Sequence, residues 1–305
     1  MLLRSPLATF SLALAACATP PPRSPPSPTE SLTSAVQHRI AAVPGAVVGI
    51  YFRPLAAPAD TLAIDADTSF HAASTMKIAV MIQLFRDVDA GRLSLDQSVT
   101  LRNQFASIVD GSPYALDPKD DSDSSLYDAV GHTVTVRDLM LRMIRRSSNL
   151  ATNSVIELVG AARADSTAHT LGATHIRVLR GVEDGKAFER GLNNTTTPRD
   201  LAALLVAIQQ DQAATPAGCA AMRDVLLGQE FNTEIPAGLP PGTRVAHKTG
   251  QITGVLHDAA IVYPANAPPY VLVVLTRGIP EEQVARSLIA DVSRLVYAHV
   301  MRNGS

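Results

Sequence analysis

Cysteine is nearly absent from this chain, with only Cys17 and Cys219. That excludes a disulfide-rich scaffold and a four-cysteine zinc site. Aromatic residues make up 4% and there is no tryptophan. No uninterrupted apolar run reaches the roughly 18–20 residues that a membrane-spanning helix needs. Neither sign of charge dominates: Lys+Arg 26 against Asp+Glu 28 leaves a net charge of −2. A basic footprint for nucleic acid is therefore excluded. Lysine is sparse, limited to Lys77, Lys119, Lys186 and Lys248. What remains is 305 residues that are 46% apolar, much of it alanine. This is enough for a large core in one domain or two intimately packed ones. The scattered histidines do not support a zinc site, and no repeat recurs at 20–50-residue spacing.

Residues 1–16 carry an early Arg4, an apolar stretch and then small residues, which is the pattern of a secretory signal. Leu14-Ala15-Ala16-Cys17 resembles a bacterial lipobox. That resemblance implies lipidation of Cys17 and cleavage before it, leaving the chain lipid-anchored at a membrane facing the bacterial periplasm. Residues 17–30 are Pro-rich and read as a semi-rigid tether. Cys219 would then be the only ordinary thiol, an inert residue of core or surface.

Beyond the tether, a first helix is expected near Ser31–Val43. Val47–Arg53 reads as a strand and Leu62–Asp65 as its hairpin partner. Thr243–His247, Ala259–Tyr263 and Tyr270–Thr276 read as three more strands divided by turn signals. Glu281–Met301 has apolar residues at helical spacing. The middle of the chain is helical: Lys77–Ala90, Val136–Arg145, Ala151–Gly160 and Pro198–Gln209. Thr197 caps the last of these and Pro198 suits its first turn. The expected fold is α/β in the α+β sense: an antiparallel sheet completed by both chain ends, flanked by helices. An all-α region over 71–221 interrupts an α/β region formed by 31–70 and 222–305, with a cleft between them as the natural site. The acidic stretch Asp117–Asp123 reads as a solvated surface loop.

Three short motifs bear on chemistry. Ser74-Thr75-Met76-Lys77 opens a helix, so Ser74 and Lys77 share one face about a turn apart. The serine N–H there points toward any oxyanion formed at the helix start. Ser147-Ser148-Asn149 lies between two helical stretches, and His247-Lys248-Thr249-Gly250 ends a strand-like run. Singly, these read as a capped helix start, interhelical caps, and a charged edge residue before a turn glycine. In order, and using two of the four lysines, they suit serine–lysine catalysis. A serine needs a base to take its proton, and a lysine serves as one when burial or a second ammonium lowers its pKa.

With these motifs, the chain resembles the penicillin-recognising serine hydrolases, closest to class A β-lactamases, over roughly residues 33–300. The resemblance implies the β-lactamase/transpeptidase-like fold and acyl transfer to Ser74, with Lys77 helping to deprotonate it. It implies that Ser147 relays a proton to the leaving nitrogen and that Asn149 holds the substrate amide and Lys77. Lys248 and Thr249 would bind the substrate carboxylate, and the N–H groups of Ser74 and Gln251 would form the oxyanion hole. Asn153 matches an asparagine that braces the loop across the cleft. A small-molecule β-lactam is the implied partner; no metal or organic cofactor is implied, and a monomer is the default.

The chain departs from that family pattern at three places. Ser148 stands where the family usually has aspartate. In the loop that normally carries a deacylating glutamate, Asn194 replaces an aspartate, so a salt bridge with Arg180 is reduced to a hydrogen bond. Glu183 is offered there as the base, displaced by one residue relative to Arg180; its ordinary reading is a solvent-facing carboxylate, and Glu189 is the second choice. No arginine follows Lys248 on the next strand, where Leu256-His257 falls. The expected activity is β-lactam hydrolysis through an acyl-serine. The alternatives are a D-alanyl-D-alanine carboxypeptidase or esterase on the same fold, and a non-catalytic envelope lipoprotein.

Overall fold

The computed structural model describes residues 31–303. The signal segment, Cys17 and the tether lie outside the described residues. The chain from Ser31 onward is one compact unit. Its centre is a five-stranded antiparallel sheet built from β1 (Val47–Pro54), β2 (Leu62–Ile64), β3 (Arg244–Ile252), β4 (Val255–Tyr263) and β5 (Tyr270–Arg277), in the order β2-β1-β5-β4-β3. Both chain ends therefore complete the sheet, as the sequence pattern implies.

Strand β5 shows why helices must cover both faces. It is buried along nearly its whole length, and its residues divide by parity. Leu272 and Val274 join a core with Ile50, Phe52, Leu288 and Val292, under α1 (Leu32–Ala41) and the last helix. Val271, Val273 and Leu275 join the larger core beneath the helical part of the chain. That part holds α2 (Lys77–Asp89), α3 (Val136–Arg145), α4 (Asn149–Val159), α5 (Ala161–Thr170), α6 (Gly185–Glu189), α7 (Pro198–Gln209) and α8 (Pro216–Leu227); α9 (Glu282–Asn303) closes the chain. Helix α2 is buried all round from Lys77 to Phe85, so it forms the centre of this layer. Thr197 caps α7 by accepting from the Asp200 N–H (3.1 Å), with Pro198 in the first turn.

Three expectations change. The region 71–221 is not all-α: Ser98–Thr100 pairs with Thr133–Thr135 and Phe105–Ala106 with Pro113–Tyr114, in ladders too short to show as alternating runs. Strand β3 runs on to Ile252, so Lys248-Thr249-Gly250 lies within the strand rather than at its end. Gly250 is not a turn residue. A Cβ there would meet Thr75 Cγ2 at 3.0 Å and the Ser74 nitrogen at 3.2 Å, so its lack of a side chain lets β3 approach the Ser74 turn. The reversal comes later, where Gly254 holds a positive φ of 70° between β3 and β4. The acidic stretch is not fully solvated either: Asp121 and Asp123 are buried, Asp121 at the start of α4 and Asp123 against Arg142. Their burial is compensated by these donors.

Candidate active site

Ser74 sits in a 3₁₀ turn, Ala73–Met76, that runs directly into α2. The preceding bend is tightly held. Ala73 adopts a positive φ of 46°, its N–H donates to His71 Nδ1 (3.0 Å), and the Thr75 hydroxyl donates to the Ala72 carbonyl (2.6 Å). His257, fully buried on β4, places Nε2 2.9 Å from the His71 carbonyl, and burial pushes its pKa down to about 4. Its Nδ1 accepts the Thr276 N–H (3.1 Å) and also lies 2.8 Å from the Leu256 carbonyl, so the ring is held at both nitrogens. His257 thus braces the sheet and the Ser74 turn, and this position supplies no cation of the kind an arginine would place there.

Lys77, on the first position of α2, has no exposed surface. Its Nζ lies 2.7 Å from the Ser147 carbonyl, 3.0 Å from Asn149 Oδ1 and 3.3 Å from Ser147 Oγ. Lys248, equally buried on β3, donates to the same Ser147 Oγ (2.9 Å) and to the Thr249 carbonyl (2.9 Å). Two amines thus flank one hydroxyl, which Ser147 offers from a left-handed backbone with φ of 57°. Desolvation lowers the Lys77 pKa to about 7, against the opposing pull of Asp121 and Glu183. Lys248 is lowered well below its usual value by desolvation and then by the Lys77 charge. Two ammonium groups this close and this dry disfavour each other's charge. A neutral amine can donate to the Ser147 carbonyl and Asn149 Oδ1 and still hold a lone pair, which makes Lys77 competent as a base near neutrality.

Helix α4 begins with the second motif. Ser148 is its cap, accepting from the Ala151 N–H at 3.2 Å. The carboxylate missing from Ser148 arrives from elsewhere: Asp121 Oδ2 accepts the N–H groups of Asn149 and Leu150, both at 2.9 Å, and the Tyr127 hydroxyl at 3.1 Å. An anion at a helix start is favoured by the helix dipole. No motif announces Asp121; the only signal is an aspartate in the loop upstream of a capped helix.

Asn149 then bridges the cleft. Its Oδ1 takes Lys77, and its Nδ2 donates to Glu183 Oε1 at 2.6 Å. Glu183 is solvent-accessible, with a positive φ of 61°. Partial dehydration of its carboxylate raises its pKa; the Asn149 hydrogen bond opposes this and the charge of Asp121 adds to it. The loop is held from below by Asn153, which accepts from the Val182 N–H (2.7 Å) and donates to the Val182 carbonyl (3.1 Å). A Cβ on Gly181 would come 2.5 Å from Asn153 Oδ1, so the loop needs a glycine there. Asn194 does hydrogen-bond to Arg180, but to its backbone: Oδ1 accepts from the Leu179 and Arg180 N–H groups (2.8 and 3.2 Å), and Nδ2 donates to the Arg180 carbonyl (3.0 Å). The Arg180 guanidinium binds the Leu192 carbonyl and Asn193 Oδ1 instead. Glu189 ends α6 on the exposed surface.

These groups border a cavity of about 250 Å³ lined by Ser74, Ser147, Asn149, Thr249, Gln251 and Arg286, among others. Arg286 is a site residue that the sequence reading misses. It reaches in from α9 and forms an i,i+4 ion pair with Glu282, a pattern that in sequence resembles any exposed helix face. Cys219 is buried, its Sγ accepting from the Ala214 N–H at 3.3 Å. Among the described residues no group of His, Cys, Asp and Glu is placed to hold a metal ion.

A family model described as the beta-lactamase enzyme family matches residues 31–300. A β-lactamase of Streptomyces lavendulae is 28% identical over 260 residues, covering 82% of this chain and 80% of its own. The solved structure of PBP-A superposes with a TM-score of 0.77 at 29% identity, covering 92% of this chain and 99% of that one. A β-lactamase structure from Sphaerobacter thermophilus also gives 0.77, at 28% identity, with 88% and 98% covered.

Proposed function

The chain belongs to the beta-lactamase enzyme family, and from that premise we propose that it opens β-lactam rings through an ester on Ser74 and releases the product by Glu183-directed hydrolysis. The observation that carries this reading is the Ser147 hydroxyl held between Lys77 (3.3 Å) and Lys248 (2.9 Å), both fully buried. Ser74 Oγ bonds to the lactam carbonyl carbon as neutral Lys77 takes its proton. General-base help of this kind contributes typically about 10²–10⁴-fold. The oxyanion is held by the N–H groups of Ser74 and Gln251; the bare Gly250, which lets β3 pass close to the Ser74 turn, supports this pairing. The ring C–N bond then breaks, and the nitrogen takes the Ser147 proton, which a lysine ammonium restores.

In the second half, Glu183 removes a proton from water, the water oxygen bonds to the ester carbon, the ester C–O bond to Ser74 breaks, and the proton held by Glu183 returns to the Ser74 oxygen, which restores the free carboxylate. Lys248 and Thr249 hold the substrate carboxylate, and Arg286 adds the cation that β4 lacks. The accessible position of Glu183 favours a second reading, in which acylation is efficient and release is slow, as a D-alanyl-D-alanine carboxypeptidase would behave toward a β-lactam. A chromogenic cephalosporin separates the two. The proposal expects product far beyond one equivalent, abolished by Ser74→Ala. A burst that stops at one equivalent contradicts it.

A further inference from the structure

Glu234 is an unexpected neighbour for a site that is to hold an anion. It is 1% exposed and lines the cleft beside Thr249, Gln251 and Arg286. Its Oε1 accepts the Arg286 guanidinium and the Thr233 hydroxyl (3.0 Å), whereas Oε2 is buried with no hydrogen-bond partner. A buried carboxylate oxygen left without a donor is unfavourable and calls for an explanation. The charged and titratable groups facing it are Asp258 on β4, His247 and Lys248 on β3, and Arg286 on α9. Asp258 is itself fully buried and 2.9 Å from His247 Nδ1. Arg286 is shared by two carboxylates, Glu234 and Glu282, before any ligand arrives.

The geometry points to Glu234 as the group that sets the preference for anionic substrates: when a ligand carboxylate docks against Lys248, Thr249 and Arg286, Glu234 Oε2 takes up one proton from solvent. This rests on the reading of the cleft as a β-lactam site. A third carboxylate arriving at a guanidinium that already serves Glu234 and Glu282 adds repulsion, which neutralising one of them relieves. Protonation removes that repulsion and gives the orphan oxygen a hydrogen to donate. The balance is simple: one proton leaves the buffer, one O–H bond forms, and no covalent bond to the ligand is made or broken. Burial and the Asp258 charge already raise the Glu234 pKa, and an arriving anion raises it further. By linkage, the protonated form is favoured in the complex, so affinity for an anionic ligand rises as pH falls.

The test is calorimetry of the Ser74→Ala chain with benzylpenicillin in two buffers of different ionisation enthalpy, between pH 6 and 8. The expected result is uptake of about one proton per bound ligand and a Kd that weakens by up to ~10-fold per pH unit as pH rises. Adding Glu234→Gln should remove the uptake and flatten the Kd profile. A flat profile in the Ser74→Ala chain alone overturns the proposal without any Glu234 variant. Uptake that persists in Glu234→Gln also overturns it, because the proton would then belong to Lys77 or Lys248. Binding without uptake removes only this role of Glu234, whereas no binding at any pH removes the β-lactam reading as well.

Discussion

The two walls of the cleft are built differently. The wall that would acylate is buried and held from many directions: Lys77 and Lys248 are fully enclosed, and Ser74 lies in a turn pinned by His71, His257 and the close pass of Gly250. The wall that would deacylate is a loop at the surface. Glu183 hangs there at φ of 61°, secured by the side-chain amides of Asn149, Asn153 and Asn194. Burial gives the first wall its chemistry, since desolvation is what brings Lys77 to about 7. The second wall gains little from burial and depends on a few hydrogen bonds. Damage to the loop should therefore separate release from acylation, while damage to the buried wall should remove both.

The largest effect is expected from Lys77→Ala. Acylation by a reporter cephalosporin should slow by about 10³-fold or more, since both the base and a partner of Ser147 are lost. Stopped-flow acylation within tenfold of the parent chain would remove Lys77 from that role. A smaller and more selective effect is expected from Asn153→Ala, which leaves the Val182 N–H without its side-chain partner and its carbonyl with the Tyr114 hydroxyl alone (3.3 Å). The cost should be about 2 kcal/mol in chemical denaturation, on the scale of buried groups left unpaired. Deacylation should fall by about tenfold or more while acylation stays within a few-fold, through loss of the positioning of Glu183. Equal losses in both steps would contradict the division between the walls.

The smallest effect is expected from Asp121→Asn. Its charge raises the Lys77 pKa, so removing it lowers that pKa further below the usual lysine value. The free amine is the working form and is populated above its pKa. Acylation should thus rise with pH through about 7 in the parent chain and through a lower pH in Asp121→Asn. The helix start should also lose roughly 0.5–1 kcal/mol. A shift of the pH profile upward would reverse the assigned electrostatics.

Legibility in the sequence followed local chemistry. Val136–Arg145 and Pro198–Gln209 are read to the residue, because both are amphipathic runs and Thr197-Pro198 marks the start of the second. Helix α5 escapes because it buries mainly Ala164, Thr167 and Ala168, which leave little periodic signal. Helix α8 carries a readable Thr215-Pro216 start, but its alanines and glycine blur the apolar stripe. The residues of the three motifs are visible because their spacing reflects a helix turn and a strand. Asp121 and Arg286 are not, because each reaches the site from a distant segment, and only the tertiary fold shows what it touches. Gly250 reads in sequence as a turn glycine for the same reason, whereas in the fold it permits a close approach to Ser74.

In the proposed cycle Ser74 is acylated and Glu183 releases it. Intact-mass measurement of the Glu183→Gln chain after mixing with benzylpenicillin tests this most directly. One penicilloyl group is expected on Ser74, formed at nearly the parent rate and persisting for minutes to hours, while the parent chain returns to its free mass. Release from Glu183→Gln at the parent rate, or a stable adduct on the parent chain itself, would contradict it.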